Sequence, residues 1–350
     1  MKSTSRAGPP SATPERAPSS TFFGGLEQRF DAAWDPLVGR RRAVAIGGLT
    51  VTLRFSGPEL ESQLMRCLAH IEVDVPERGD ASIDCLAESA GELPWQDDAV
   101  AGDGEARALV GGRAWMTHDP RSGRLEAVDP ARQRAVAFYP DPTALAPHEL
   151  ATPLRASLLR LLDRPGLRFL HAGAVAGTRG AALLVGSSGS GKSTLALACL
   201  RSGLGYLGDD YVALAADEAA STVCSVHASA KLDPSSLELL GDLAASMLAG
   251  TPNPKLGLCL LPRSAQRLTR RARLAEIIVP RIGAESTRLR PMSPARALLA
   301  MAPSTMIQHP GRDRGALAEM RELVIATRCW DLAIDADPAT AAAAVGELLG

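Results

Sequence analysis

Three groups of residues carry side-chain types and spacings suited to phosphate chemistry. Gly186-Ser187-Ser188-Gly189-Ser190-Gly191-Lys192-Ser193-Thr194 fits the pattern of a glycine, four free positions, glycine, lysine and a hydroxyl residue. In such a loop the glycines let backbone amides turn toward a β-phosphate. The reading therefore places Gly186, Ser187, Ser188, Gly189, Ser190, Gly191 and Thr194 around a nucleotide, with Lys192 reaching the β- and γ-phosphates and the Ser193 hydroxyl on Mg²⁺. The second group is Asp209-Asp210. Adjacent acids at the end of a strand can divide the work, one on Mg²⁺ and one accepting the proton of an attacking hydroxyl; the other reading is one magnesium ligand and one surface acid. Successive side chains of a strand face opposite ways, so both reach one site only if the backbone bends, and Gly208 is where a bend is expected. The third is His171, 21 positions before Lys192, either a member of this site or a satisfied core histidine. Lys231 and Arg281 are weaker candidates for phosphate or substrate contacts.

A phosphate loop works only between a strand that fixes its start and a helix whose first amides face the phosphates. Ala181-Ala182-Leu183-Leu184-Val185 is an apolar run of strand type, and residues 195–201 are helix formers without proline or glycine. Strands are expected over 168–175, 206–214, 223–231, 276–279 and 329–334, and helices over 153–162, 235–248, 294–301, 316–325 and 339–349. That alternation predicts a wound α/β sheet carrying nucleotide at a strand's C-terminal end. Upstream, short β-like runs at 43–46, 49–55, 113–117 and 135–139 surround a helical stretch at 58–70. This predicts a smaller α+β domain without a chemical motif, in which Trp34, Trp95 and Trp115 read as core or interface aromatics and Glu77, Asp97 and Asp98 as surface charges. The expected layout is a disordered tail over 1–21, the α+β domain over 22–150 and the nucleotide core over 151–350.

Length and composition agree with two domains: 350 residues, 46% hydrophobic. A formal net charge of −1 argues against a general nucleic-acid binder, and Arg263, Arg267, Arg270, Arg271 and Arg273 read as a solvated helix face. The six cysteines show neither a C-x-x-C pair nor zinc-site spacing and read as small buried hydrophobes in a reducing compartment. No apolar segment follows Lys2 and Arg6, and no run of 18 apolar residues occurs, so the expectation is a cytoplasmic protein with no signal peptide and no membrane span.

In chain order, Leu170-His171-Ala172, the 186–194 loop and Gly208-Asp209-Asp210-Tyr211-Val212 resemble the C-terminal domain of the HPr kinase/phosphorylase family. That family's loop is similar to the one in ATP-type phosphoenolpyruvate carboxykinase. The spacings 171 to 192 and 192 to 210 match the family pattern, over about residues 168–215. The resemblance implies a serine kinase using ATP and Mg²⁺, with Asp210 the base toward a seryl hydroxyl and Lys192 stabilising the transferred group. It also implies that Ser193 and Asp209 hold the metal and that His171 orients the aspartate or acceptor. His227-Ala228-Ser229-Ala230-Lys231 stands where the family has a glycine-rich acidic segment, and the later Pro/Gly/Arg segment is reduced to Pro280-Arg281. The implied client is therefore not HPr but a serine of another protein, a precursor peptide or a small molecule; oligomers are common in the family. The competing reading is a non-catalytic or slowly hydrolysing nucleotide switch. An ABC-type or motor ATPase is disfavoured by the lack of a Leu-Ser-Gly-Gly segment, and a carboxykinase by the chain's length.

Overall fold

The computed structural model describes residues 21–88, 106–110, 114–119, 122–216, 220–234, 236, 241–248, 255–261, 263–308 and 313–350. The tail expected over 1–21, except Thr21, lies outside them, as do Trp95, Asp97 and Asp98.

The described residues begin with a helix that the periodicity reading does not single out, α1 (Thr21–Ala33), whose Phe23, Leu26 and Phe30 recur at helical spacing and are buried. Next come β1 (Arg40–Ile46), β2 (Leu49–Phe55), α2 (Pro58–Met65), β3 (Glu72–Val73), β4 (Ala81–Ala87), β5 (Ala106–Val110), β6 (Ala114–His118), β7 (Leu125–Asp129) and β8 (Arg134–Tyr139). They form one eight-stranded sheet in the order β3-β1-β2-β4-β8-β7-β6-β5. Its parallel pairs, β2 with β4 and β4 with β8, lie at the centre, where α2 covers one face and α1 the other.

Helices α3 (Pro147–Ala151) and α4 (Arg155–Leu162) lead to β9 (Leu167–Leu170), β10 (Gly173–Gly177), β11 (Gly180–Leu184), α5 (Lys192–Ser202), β12 (Gly205–Gly208) and β13 (Val212–Ala216). After these follow β14 (Ser221–Ser225), β15 (Ser229–Leu232), β16 (Leu256–Cys259), β17 (Arg271–Ile282), β18 (Arg288–Pro291), α6 (Pro294–Gln308), α7 (Asp313–Ala326), β19 (Arg328–Ile334) and α8 (Pro338–Leu349). Of the helix expected over 235–248, the described residues are Ser236, which is helical, and 241–248, which include a short 3-10 segment, Gly241–Ser246.

The second sheet has nine strands and is mixed, not wound in parallel as the alternation predicts. Only β11–β17 and β17–β19 run parallel; the two-residue turn at Thr178-Arg179 forces β10 and β11 antiparallel. The 12-residue β17 joins the halves of the sheet, pairing first with β14 and further along with β11 and β19. Three stretches expected as single strands are each broken in two, at 171–172, 209–211 and 226–228. The first two breaks hold the chemistry-bearing residues.

One apolar cluster runs from the first sheet into the second: Phe55, Leu64 and Ile83 share it with Leu158, Phe169, Tyr211 and Val226. Two buried histidines sit within this junction. His70 meets the Ser225 hydroxyl at 2.7 Å, and His227 donates from Nε2 to the Pro153 carbonyl at 2.9 Å. All six cysteines are buried and free, and no helix among the described residues is long and apolar enough to cross a membrane.

Burial lowers His70 to about 3 and His227 to about 4, so both are neutral in the folded chain. Unfolded histidines titrate near 6.5 and take up protons below that pH, so the unfolded state binds more protons and stability falls with falling pH. As pH falls from about 6.5 to about 5, the loss per histidine should steepen from roughly 0.7 toward roughly 1.4 kcal/mol per pH unit. Urea titrations across this window should show that slope, and His70→Asn should flatten it; a pH-independent midpoint would contradict it.

Candidate functional site

The glycine-rich segment lies between β11 and α5, as its sequence predicts. Strand β11 is buried between β10 and β17, which fixes the start of the turn. Helix α5 is anchored by Leu195, Leu197, Cys199 and Leu200 against α8 and the sheet, each large side chain contributing about 1.5–3 kcal/mol on burial. It stops at Gly203, φ +108°, where Leu204 N–H bonds the Cys199 carbonyl and Gly203 N–H the Leu200 carbonyl. Two glycine caps thus bracket the helix. At its N-terminus Gly191 adopts φ +94°, and a Cβ there would stand 2.7 Å from Ile282 Cγ2.

Within the loop the Lys192 ammonium donates to the carbonyls of Gly186 at 2.8 Å and Ser187 at 2.9 Å. Among the described residues no carboxylate is in ion-pair contact with it, and burial holds its pKa below the usual lysine value despite the charges of Asp209 and Asp210. Ser193 Oγ donates to Asp209 Oδ1 at 2.9 Å, and the Lys231 backbone N–H to Asp209 Oδ2 at 3.1 Å. Asp209 is 2% exposed; burial and then the neighbouring Asp210 charge push its carboxyl up.

Asp210 occupies the break between β12 and β13. The bend falls on this residue, not on Gly208, which stays in β12. Asp210 has φ +70°, and the Tyr211 N–H reaches the Asp209 carbonyl at 2.8 Å, closing a three-residue turn in a conformation that non-glycine residues rarely adopt. The turn aims the two acids along separate paths into one space. Asp210 Oδ1 lies 2.9 Å from His171 Nε2, and Oδ2 accepts from Lys231 Nζ at 2.8 Å. Burial opposes the Asp210 charge, but Lys231 and His171 outweigh it and hold the carboxyl below the ordinary aspartate range.

His171 stands on the break between β9 and β10, its ring edge-on to Tyr211 at 5.8 Å and its buried Nδ1 without a hydrogen-bond partner. Lys231, on β15, also reaches Thr152 Oγ1 at 3.3 Å.

These groups share a cleft of about 780 Å³, of the size that holds a cofactor or metabolite. His171, Ser188, Gly189, Gly191, Lys192, Ser193, Thr194, Asp209, Asp210 and Lys231 line it. Gly186, Ser187 and Ser190 do not line it: the carbonyls of the first two take the lysine, and the Ser190 hydroxyl is buried without a partner among the described residues. Ile282, Ile334 and Pro338 form an apolar wall, and Lys255, Ala284 and Asp335 are also in the lining.

Not every candidate converges here. Arg281 forms a two-pronged pair with Asp331 outside the cleft, Arg267 caps the C-terminal carbonyls of α5, and His227 is a buried core group bonded through Nε2 to the Pro153 carbonyl. Trp34 packs on Phe30 and Trp115 under Arg160. Lys255, Asp335 and Thr152 were missed, since no local pattern marks them; only the pairing of β15 with β16 and the turn after β19 bring them near.

The alanine variant of Gly191 should lose roughly 1–3 kcal/mol from its left-handed backbone alone, in addition to the collision with Ile282. Chemical denaturation beside Gly283→Ala, which has a similar φ of +87° but open space around its Cβ, separates the two contributions; equal losses would mean that the Ile282 contact is immaterial.

No protein-family model matches the chain, and no curated protein matches it. Among solved structures it has a distant structural similarity to the Hpr(Ser) kinase/phosphatase from Coxiella burnetii, at 11% identity and a TM-score of 0.30, with 52% of this chain and 95% of that chain covered.

Proposed function

We propose that this chain is an ATP-dependent serine kinase, with Asp210 as the base toward a seryl hydroxyl and Lys192, Ser193 and Asp209 around magnesium and the nucleotide phosphates. The observation that carries the reading is the placement of Asp210: a carboxylate on a positive-φ turn, held between His171 and Lys231, in the same cleft as the 186–194 loop. The sequence resemblance to the HPr kinase family points the same way. The division into a 22–150 accessory domain and a 151–350 kinase core belongs to this proposal.

The residues present fit a magnesium-bound triphosphate. Among the described residues Lys192 is a buried ammonium satisfied by loop carbonyls alone, and Asp209 is a buried acid that gains from a nearby cation. ATP supplies the phosphoryl group, and Mg²⁺ neutralises part of its charge. The chain's own residues do the remainder. Lys192 leaves its carbonyl partners for phosphate oxygens, and the first amides of α5 face the same anion. Ser193 and Asp209, already joined by a hydrogen bond, are the residues that would hold the metal.

Asp210 takes the hydroxyl proton as the seryl oxygen bonds the γ-phosphorus and the bond from that phosphorus to the bridging oxygen breaks, with ADP as the leaving group. The same residue cannot be both a free base and a fully neutralised ion, so Lys231 or His171 must loosen as the acceptor arrives. His171 supports the carboxylate from Nε2, and its partnerless Nδ1 faces no competing bond.

Incubation with γ-labelled ATP, Mg²⁺ and a seryl peptide pool tests this reading. Label should pass to peptide; Lys192→Ala should abolish nucleotide binding, whereas Asp210→Asn should keep it and lower transfer by about 10²–10⁴-fold. Asparagine tolerates positive φ, so the turn should survive. Normal turnover in Asp210→Asn would remove the assigned base. Label left on ATP or released as phosphate in every reaction would favour the nucleotide switch.

A further inference from the structure

We infer that the arginine-lined notch beside the cleft docks an acidic stretch of the acceptor polypeptide, with acids at alternating positions near the phosphorylated serine. This rests on the kinase reading above and narrows its substrate class. The notch, of about 230 Å³, is built on one face at the edge of the second sheet. In register, Arg281 on β17, Ala333 on β19 and Arg288 on β18 form one row across three strands, and Asp331 and Arg290 stand side by side in the next row. Paired strand residues face the same way, so Arg281, Arg288 and Arg290 crowd the face on which the small Ala333 leaves a floor. Two acids, Asp331 and Glu285, line it against these three arginines, and Arg296 on α6 adds its field at Asp331. The result is a net positive groove in a chain whose overall charge is −1.

Position and spacing name the occupant. Ala284 lines both the notch and the cleft, so one surface runs around the end of β17 from the arginines toward Asp210. Asp331 already satisfies Arg281 through two hydrogen bonds. Arg288 and Arg290 are exposed, with no carboxylate in ion-pair contact among the described residues, and stand on one face of β18 about 6.8 Å apart, the repeat of alternate side chains in an extended chain. An extended segment reading Glu-x-Glu matches that spacing with opposite charge, and arginine presents a fork suited to carboxylates.

The probes are fluorescein-labelled peptides with a single serine flanked on each side by Glu-Ala-Glu-Ala-Glu, or by the same stretch with glutamine. Anisotropy titrations on the full chain should give the glutamate peptide about tenfold or more tighter binding at low salt, a preference shrinking at high salt. The double variant Arg288→Glu/Arg290→Glu should abolish the preference and leave ATP affinity and circular dichroism unchanged. Equal affinities for the two peptides, or a preference that survives in the variant, would overturn the docking surface and leave these arginines as guards of an edge strand. Parallel transfer assays keep the two readings apart. Arginine-dependent binding without label transfer supports the notch and sinks the kinase; equal transfer to both peptides supports the kinase and sinks the notch.

Discussion

Two adjacent carboxylates, one buried and the other half-buried, must each find partners, and much of the architecture around the cleft answers that electrostatic demand. Like charges so close in a medium of low polarity repel strongly, and each carboxylate left unpaired would cost several kcal/mol. Asp209 is met by the Ser193 hydroxyl from α5 and a backbone N–H from β15; Asp210 is met by His171 from the β9–β10 break and by the Lys231 ammonium. Lys231 serves both acids, through its backbone and its side chain. The pair therefore ties three other stretches of chain to its own, and the two acids end with opposite tendencies. Asp209 is pushed toward its neutral form and Asp210 is held ionised. Such a splitting is what lets neighbouring carboxylates take different roles.

The splitting depends on broken strands. An unbroken strand from 205 to 216 would turn Asp209 and Asp210 to opposite faces of the sheet. The positive-φ turn at Asp210 instead ends β12 on one side of the sheet, beside β10, and starts β13 on the other, between β9 and β14. His171 occupies the matching break between β9 and β10, so the two interruptions lie opposite each other where the halves of the sheet part. The strain of such a turn, roughly 1–3 kcal/mol, is tolerated because Tyr211 is locked on its far side, with its hydroxyl bound by Arg155 at 3.0 Å.

How legible this was in the sequence follows from the range of the interactions. Strand, loop and helix around 186–194 are local, encoded by an apolar run, glycines and helix formers in register, and the structure places them as read. The convergence of His171 and Asp210 was legible only through a spacing shared with a family, since nothing in either segment alone says that two broken strands face each other. The periodicity reading ran each of those stretches as one strand because apolar residues continue on both sides of the break: Tyr206 and Leu207 before it, Val212 and Leu214 after. A bend was expected at Gly208, since glycine is the residue that tolerates positive φ, yet the turn falls on an aspartate whose side chain is tied on both oxygens. Helix α1 escaped notice because Gly24-Gly25 interrupts its pattern, although Phe23, Leu26 and Phe30 fill the core. Lys231 could only be guessed at, because its partner lies 21 residues away on another element.

The site is also not separable from the first half of the chain. Lys231 reaches Thr152 at the end of α3, and Ser229, two residues earlier on β15, donates to the Ala151 carbonyl. The next turn of chain carries Leu154 at φ +55° and then Arg155, which braces Tyr211 behind Asp210. Beneath them a single apolar cluster continues to β2 and β4 of the first sheet. A shift of the first sheet would therefore move the α3–α4 connection, and with it the lysine and the tyrosine that set the Asp210 carboxylate in place. Movement of Lys231 away from Asp210 would free the carboxylate and remove the charge that keeps its proton affinity low, both in the direction of a stronger base. The packing gives the first sheet a physical route to the Asp210 carboxylate through two side chains, without requiring any residue of its own in the cleft.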